Sequence, residues 1–107
     1  MNQIAAAELA AWLSDMRREK PLLLDVREPW EWETARIAGA TLVPMREIPA
    51  RFGELDPARE VVAICHHGGR SQQVAMFLEK NGFAKVHNLT GGVDAWSRTV
   101  DPAVPLY

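Results

Sequence analysis

Cysteine is almost absent from this chain of 107 residues, in which Cys65 is the only one. A single cysteine cannot form an internal disulfide, which is typical of a reducing compartment and leaves the thiol free to react. The first twenty residues also lack the apolar stretch of a secretion signal or membrane span, because Glu8, Asp15 and Arg17 interrupt them. We therefore expect a cytoplasmic protein that has no membrane partner.

A strong excess of charge of either sign is also missing. Twelve lysines and arginines stand against fourteen aspartates and glutamates, and no basic block is dense enough to follow a phosphate backbone. Nucleic acid is therefore not an expected partner. The length suits one globular unit. We expect a single domain over residues 1–107, with residues 101–107 as an extended tail on its surface.

Apolar stretches without alternation predict strands that are covered on both faces. Such stretches lie at 22–26 and 61–64. Further strands are predicted at 39–43 and 85–89, and a fifth around Ile4. Buried strands of this kind are typical of parallel sheets.

Helical periodicity separates the strands. The spacing of Leu9, Trp12, Leu13 and Met16 predicts a first helix with one face on the core. Four further helices are predicted at 30–35, 46–55, 71–80 and 93–98, of which the one at 46–55 is interrupted by a proline and a glycine. Strands that alternate with helices indicate the α/β class, with a mostly parallel sheet between two layers of helices.

Cys65 follows the end of the strand at 61–64, and ligands of such sheets bind beyond the carboxyl ends of the strands. Gly68 and Gly69 allow the following loop to curl around the cysteine. Backbone N–H groups of that loop and of the next helix would favour negative charge on sulfur. The loop thus predicts a nucleophilic thiolate.

Side chains of the same loop also favour a thiolate at Cys65. Arg70, and His66 or His67 when protonated, would stabilise a thiolate further. Proton transfer by either histidine is an alternative to this tuning of charge. The residues also allow a plainer interpretation, in which Cys65 is a small buried apolar residue at a strand end.

Four motifs, in register along nearly the whole chain, resemble the rhodanese-type sulfurtransferases. CHHGGRS at 65–71 is similar to the active-site loop of that family. The others are LDVRE at 24–28 followed by Trp32, RIAGA at 36–40, and GGVDAW at 91–96. One departure is Arg36-Ile37-Ala38, since the family often has His-Ile-Pro in this mainly structural segment. The resemblance implies a three-layer α/β/α fold around a mostly parallel sheet of about five strands.

The resemblance also implies transfer of sulfane sulfur by two displacements at sulfur. Cys65 would take sulfur from thiosulfate or a persulfide, including a protein persulfide, and pass it to cyanide or a thiol. The implied substrate-binding residues are His66, His67, Gly68, Gly69, Arg70 and Ser71, and the anionic donor would be attracted by Arg70. Asp25 and Arg27, near a neighbouring strand end, would support the loop, although a turn-stabilising role fits Asp25 equally well. No metal or organic cofactor is implied.

Three other functions remain open. Cysteine phosphatases and arsenate reductases also curl a loop around an oxyanion, but theirs has one residue more than the four, 66–69, of this chain. A non-catalytic rhodanese-like binding module is a second alternative, although such modules commonly lack the cysteine. The third is a metal site of Cys65, His66, His67 and His87, which is disfavoured because adjacent histidines seldom reach one ion.

Overall fold

Five parallel strands form the sheet on which the rest of the molecule is built. The computed structural model describes residues 1–107. In chain order the strands are β1 (Asn2–Ile4), β2 (Leu22–Asp25), β3 (Thr41–Leu42), β4 (Val61–Ile64) and β5 (Val86–Leu89). They lie in the order β1-β5-β4-β2-β3, and all four neighbouring pairs are parallel. The predicted parallel sheet is confirmed, and β4, which leads into Cys65, is its central strand.

Helices connect the strands. They are α1 (Ala6–Ser14), α2 (Pro29–Thr34), α3 (Ile48–Arg51), α4 (Gly69–Lys80) and α5 (Gly92–Thr99), with 3-10 turns at Met45–Glu47 and Phe52–Glu54 on either side of α3. The first helix is confirmed, but Met16 is 99% exposed, so its predicted place in the core is wrong. Asp15 has extended backbone angles, and the helix therefore ends before Met16. None of the helices is long and apolar enough to cross a membrane.

Two apolar clusters lie on opposite faces of the sheet, because successive residues of a strand point to opposite sides. Leu23, Val62 and Ile64 pack with α1 and α5 on one face. The other face carries their sequence neighbours, such as Leu24 and Ala63, packed with α3 and α4. The three-layer α/β/α arrangement is confirmed, and it brings the ends of β2, β4 and β5 to one edge of the sheet.

The segment 101–107 sends two side chains inward, although a surface tail was expected. Val104 belongs to the apolar cluster with α1 and α5, and its carbonyl accepts a hydrogen bond from the Ser97 hydroxyl. Beyond that anchor, Tyr107 reaches the edge of the sheet where β2 and β4 end.

Candidate active site

Cys65 lies in the short loop between β4 and α4, and it is only 1% exposed. The backbone N–H of Gly68 donates a hydrogen bond to Cys65 Sγ over 3.0 Å. Gly68 has φ of +109°, a value that other residues rarely adopt, so a glycine at this position is what turns the amide onto the sulfur. An N–H donor of this kind favours the negatively charged form of sulfur.

The start of α5 closes the loop from the other side. The N–H groups of Val93 and Asp94 donate to the carbonyl oxygens of Cys65 and His66, over 2.9 and 3.1 Å. Gly92 permits this approach, because a Cβ there would overlap both carbonyl groups. The GGVDAW motif is therefore a structural clamp on the loop, a role that the sequence alone did not reveal. The amides of Val93 and Asp94 therefore donate to carbonyl oxygens and not to the sulfur.

Ser71 and Asn88 form the floor of the site. Ser71 Oγ lies 3.3 Å from Cys65 Sγ and 2.5 Å from Asn88 Oδ1. Asn88, on β5, is 2% exposed and also donates to the Gly68 carbonyl over 3.1 Å. Sequence reasoning missed Asn88. The only available signal was a polar residue inside a stretch that otherwise suits a buried strand.

Arg70 does not point freely toward an incoming anion. Its guanidinium forms two hydrogen bonds, of 2.7 and 2.9 Å, with the Glu31 carboxylate of α2. Glu31 is 3% exposed, and its bond to Arg70 lowers the pKa of that carboxyl to about 2. The same pair raises the pKa of Arg70. Glu31 also accepts from the N–H of Glu28, so its place three residues into a helix that begins at Pro29 was the signal that could have found it.

Asp25 and Arg27 bind each other instead of the cysteine loop. The wholly buried Arg27 side chain donates to both carboxylate oxygens of Asp25, and the Nη2–Oδ2 distance is 2.7 Å. Arg27 Nη2 also donates to the Ala35 carbonyl over 2.6 Å. Asp25 thus holds Arg27, which contacts the site through the Glu31 carbonyl, 3.3 Å from Arg27 Nη1, and through the Tyr107 hydroxyl.

Tyr107 joins this buried pair to the loop. Its hydroxyl accepts from Arg27 Nη1 and donates to Glu31 Oε2, each over 2.8 Å. Its ring stacks on the His66 ring with the centroids 3.9 Å apart and the planes at 10°. Burial raises the pKa of Tyr107 to about 12, so the hydroxyl keeps its proton. Tyr107 was not predicted to belong to the site.

The two loop histidines differ in their surroundings. The His66 ring stacks on Tyr107, and the His67 ring lies 3.9 Å away at a tilt of 31°. Burial together with the nearby His67 lowers the pKa of His66, so His66 is neutral near pH 7. His67 is exposed, and ligand atoms of His66, His67 and Asp94 lie within 4.8 Å of one another. His87 lies elsewhere, 3.0 Å from Glu60, so the structure does not bring together the four-residue metal grouping considered from the sequence.

Access to the thiol is narrow. None of the three surface cavities is lined by Cys65, and the side chain is almost fully covered. A substrate therefore has to displace part of this cover to reach the sulfur. A candidate for part of the cover is the stacked pair of His66 and Tyr107, since His66 directly follows Cys65 in the chain.

Comparisons with known proteins identify the family. The family model described as "Rhodanese-like domain" matches residues 9–99. A protein named "Sulfurtransferase" from Allochromatium vinosum is 38% identical over 104 residues, which cover 97% of this chain and 95% of that protein. "Rhodanese-like/PpiC domain-containing protein 12, chloroplastic" from Arabidopsis thaliana is also 38% identical, and this chain spans 38% of its length.

Among solved structures, the rhodanese-like domain protein from Staphylococcus aureus superposes with a TM-score of 0.84. It is 29% identical, and the match covers 100% of this chain and 99% of that one. The family match covers most of the chain and includes the loop around Cys65, the start of α5 and the central strands. The chain belongs to the family of rhodanese-like domains, some of whose members are named sulfurtransferases.

Proposed function

We propose that the protein transfers sulfane sulfur through a persulfide on Cys65. The thiolate attacks the outer sulfur of thiosulfate or of a persulfide, the sulfur–sulfur bond of the donor breaks, and sulfite or a thiolate leaves with its electron pair. Cyanide or an acceptor thiol then attacks the outer sulfur of the Cys65 persulfide. That step forms thiocyanate or a new persulfide and returns the thiolate.

The observation that carries the proposal is the hydrogen bond from Gly68 N–H to the sulfur of the only cysteine. A cysteine that served only to fill the core would not need a loop whose glycine adopts φ of +109° to direct an amide at it. The amide stabilises negative charge on the thiolate, and after sulfur transfer it lies beside the charged persulfide group.

Binding of the donor falls to the rest of the loop, namely His66, His67, Gly68, Gly69, Arg70 and Ser71. Arg70 is exposed over 38% of its side chain, so an anionic donor can approach this residue from solvent. Because Glu31 offsets its charge, Arg70 orients the donor more than it attracts it. Such a pair accepts small anions and protein persulfides alike. We place this exchange, with a thiol or cyanide as acceptor, in the cytoplasm.

Transfer of sulfur from thiosulfate to cyanide tests the proposal. The native protein should turn over, and Cys65→Ser should lose all turnover while keeping its fold, because a hydroxyl cannot carry the sulfane sulfur. Substantial turnover by folded Cys65→Ser would refute the mechanism. A folded native protein that is inactive with both thiosulfate and persulfide donors would favour a binding module.

Hydrolysis of an aryl phosphate distinguishes the phosphatase alternative. Four residues between Cys65 and Arg70 supply few amides to surround a tetrahedral phosphoryl group, and the only backbone amide that donates to the sulfur is that of Gly68. We expect no useful hydrolysis. Hydrolysis that outpaces sulfur transfer would make the phosphatase the better description.

A further inference from the structure

The orientation of the Asn88 side-chain amide is fixed by its hydrogen bonds. Its Nδ2 donates to the Gly68 carbonyl over 3.1 Å and to Gln3 Oε1 over 3.0 Å, which uses both hydrogens. A backbone carbonyl can only accept, so the amide nitrogen has to face Gly68. The amide oxygen, Oδ1, therefore has to face Ser71.

Ser71 has a single hydroxyl proton to give. Asn88 Oδ1 is an acceptor that lies 2.5 Å from Ser71 Oγ, whereas Cys65 Sγ lies 3.3 Å away. Since an amide oxygen cannot donate, the proton of Ser71 goes to Asn88. The side of Ser71 Oγ that faces the sulfur is then a lone pair.

We propose that Asn88 is a positioning residue for Cys65, which withholds the Ser71 proton from the sulfur and leaves Gly68 N–H as the donor to the thiolate. Ser71 then accepts a hydrogen bond from the thiol S–H and opposes its ionisation. Through its bond to the Gly68 carbonyl, the same Asn88 amide holds the residue that carries the thiolate donor. The catalytic meaning of this arrangement rests on the proposed function, in which Cys65 is the nucleophile.

Charged and titratable groups around the loop would also affect the ionisation of Cys65. Among the cations, Arg70 interacts electrostatically with Cys65, and its charge is offset by its pairing with Glu31. The remaining groups near the loop are His66, His67, Arg27, Tyr107, Asp94 and Arg98. None of them hydrogen-bonds to Ser71 or Asn88, so substitutions at those two positions leave these charges in place.

The test is the pH midpoint for alkylation of the only cysteine by iodoacetamide, measured in two backgrounds. In the native background, Ser71→Ala removes a lone pair that favours the thiol, so the midpoint should fall. In an Asn88→Leu background, the hydroxyl is free to donate to the thiolate, and the same Ser71→Ala change should raise the midpoint. In the native background the shift should be about half a pH unit, or about threefold in rate below the midpoint, as expected for one neutral hydrogen bond. In the Asn88→Leu background it should be about one pH unit, or about tenfold, because the hydrogen bond is made to a charged sulfur.

The comparison within each background cancels any loosening of the loop that Asn88→Leu causes. Ser14→Ala is the matched control, since it makes the same change on the exposed face of α1 and should leave the midpoint unchanged. Thiolate absorbance, with Cys65→Ser as the blank, repeats the measurement without a need for reagent access.

A shift of opposite sign in the two backgrounds supports the proposal. A midpoint that rises or stays unchanged for Ser71→Ala in the native background overturns it, and so does the same sign in both backgrounds. The native background alone decides if Asn88→Leu does not fold. The titration involves no sulfur donor, so a failure here is distinct from a failure of sulfur transfer.

Discussion

Arg70 and Glu31 form a fork of two parallel hydrogen bonds beside the candidate nucleophile, with distances of 2.7 and 2.9 Å. The loop's fixed positive charge is thus neutralised by a carboxylate that is itself buried. Removal of either partner changes the charge of the site, and the two removals change it in opposite directions. This relationship allows charge attraction and orientation to be separated by experiment.

Arg70→Ala should raise the KM for thiosulfate about fivefold or more, because it leaves the Glu31 carboxylate unpaired beside an anionic donor. Adding Glu31→Gln to Arg70→Ala should recover only the part of this loss that the unpaired carboxylate causes. The double variant has no net charge in the pair, but it still lacks the guanidinium that orients the donor. Steady-state kinetics with thiosulfate and with an uncharged donor measure both effects. Arg51→Ala, which removes an arginine paired with the exposed Glu47, is the control.

A double variant as impaired as Arg70→Ala would mean that the unpaired carboxylate contributes nothing and that the whole loss comes from the missing contact with Arg70. In that case Arg70→Lys should recover only part of the activity, because lysine keeps the charge but loses the planar fork. Full recovery in the double variant would mean that Arg70 does not orient the donor.

The Glu31–Arg70 pair should also make the free energy of unfolding depend on pH in the acidic range. The pKa of Glu31 lies at about 2 in the folded protein, below its ordinary value of 4.5. A lowered pKa of this kind contributes stability that is fully present above about pH 4.5 and is lost as the pH falls toward 2. Urea unfolding across this range should give a steeper decline for the native protein than for Arg70→Ala. Parallel declines for the two proteins would contradict the prediction.

The sequence predicted the fold well, because buried strands and amphipathic helices are local patterns. The four-residue runs at β2 and β4 and the face of α4 with Val74 and Leu78 needed no knowledge of distant contacts. The helix boundary at Met16 failed for the converse reason. Met16 has the apolar character and the spacing of a core-facing helical residue, but the extended backbone at Asp15 ends the helix before it.

The candidate site was only partly accessible to the same reasoning. The loop from Cys65 to Ser71 is contiguous, so its chemistry could be inferred from residues that are neighbours in the sequence. Its partners Glu31, Asn88 and Tyr107 come from three distant segments and act through hydrogen bonds that no local spacing encodes. The role of Asp25 was ambiguous because its partner, Arg27, is only two residues away and yet is fully buried.

Tyr107 should control access to Cys65. Tyr107→Ala removes one of the two rings stacked on His66, so iodoacetamide should alkylate Cys65 at least about threefold faster as the loop opens more often. Tyr107→Phe keeps the ring and should alkylate at nearly the native rate. It should still lose about 1–2 kcal/mol of stability, because Arg27 and Glu31 each lose a hydrogen bond.

Leu106→Ala is the control for this comparison, since that neighbouring side chain is exposed. Equal alkylation rates for native, Tyr107→Phe and Tyr107→Ala proteins would show that the ring does not cover the thiol.

Gly92→Ala should disrupt the clamp on the loop. The new methyl group would overlap the carbonyl groups of Cys65 and His66, and the backbone has φ of +58° at this position. We expect a loss of at least about 2 kcal/mol in the free energy of unfolding. Gly53→Ala is the matched control, because no atom lies within 4 Å of its new methyl group, and it should stay within about 1 kcal/mol of the native protein. Similar stabilities for the two variants would refute the clamp.

The central claim is that Cys65 carries sulfur, and the intact mass of the protein after exposure to thiosulfate tests it most directly. The native protein should gain the mass of one sulfur atom, lose it again on addition of cyanide, and show no gain as Cys65→Ser. A native protein whose mass is unchanged by thiosulfate and by persulfide donors, or an equal gain by Cys65→Ser, would contradict the account.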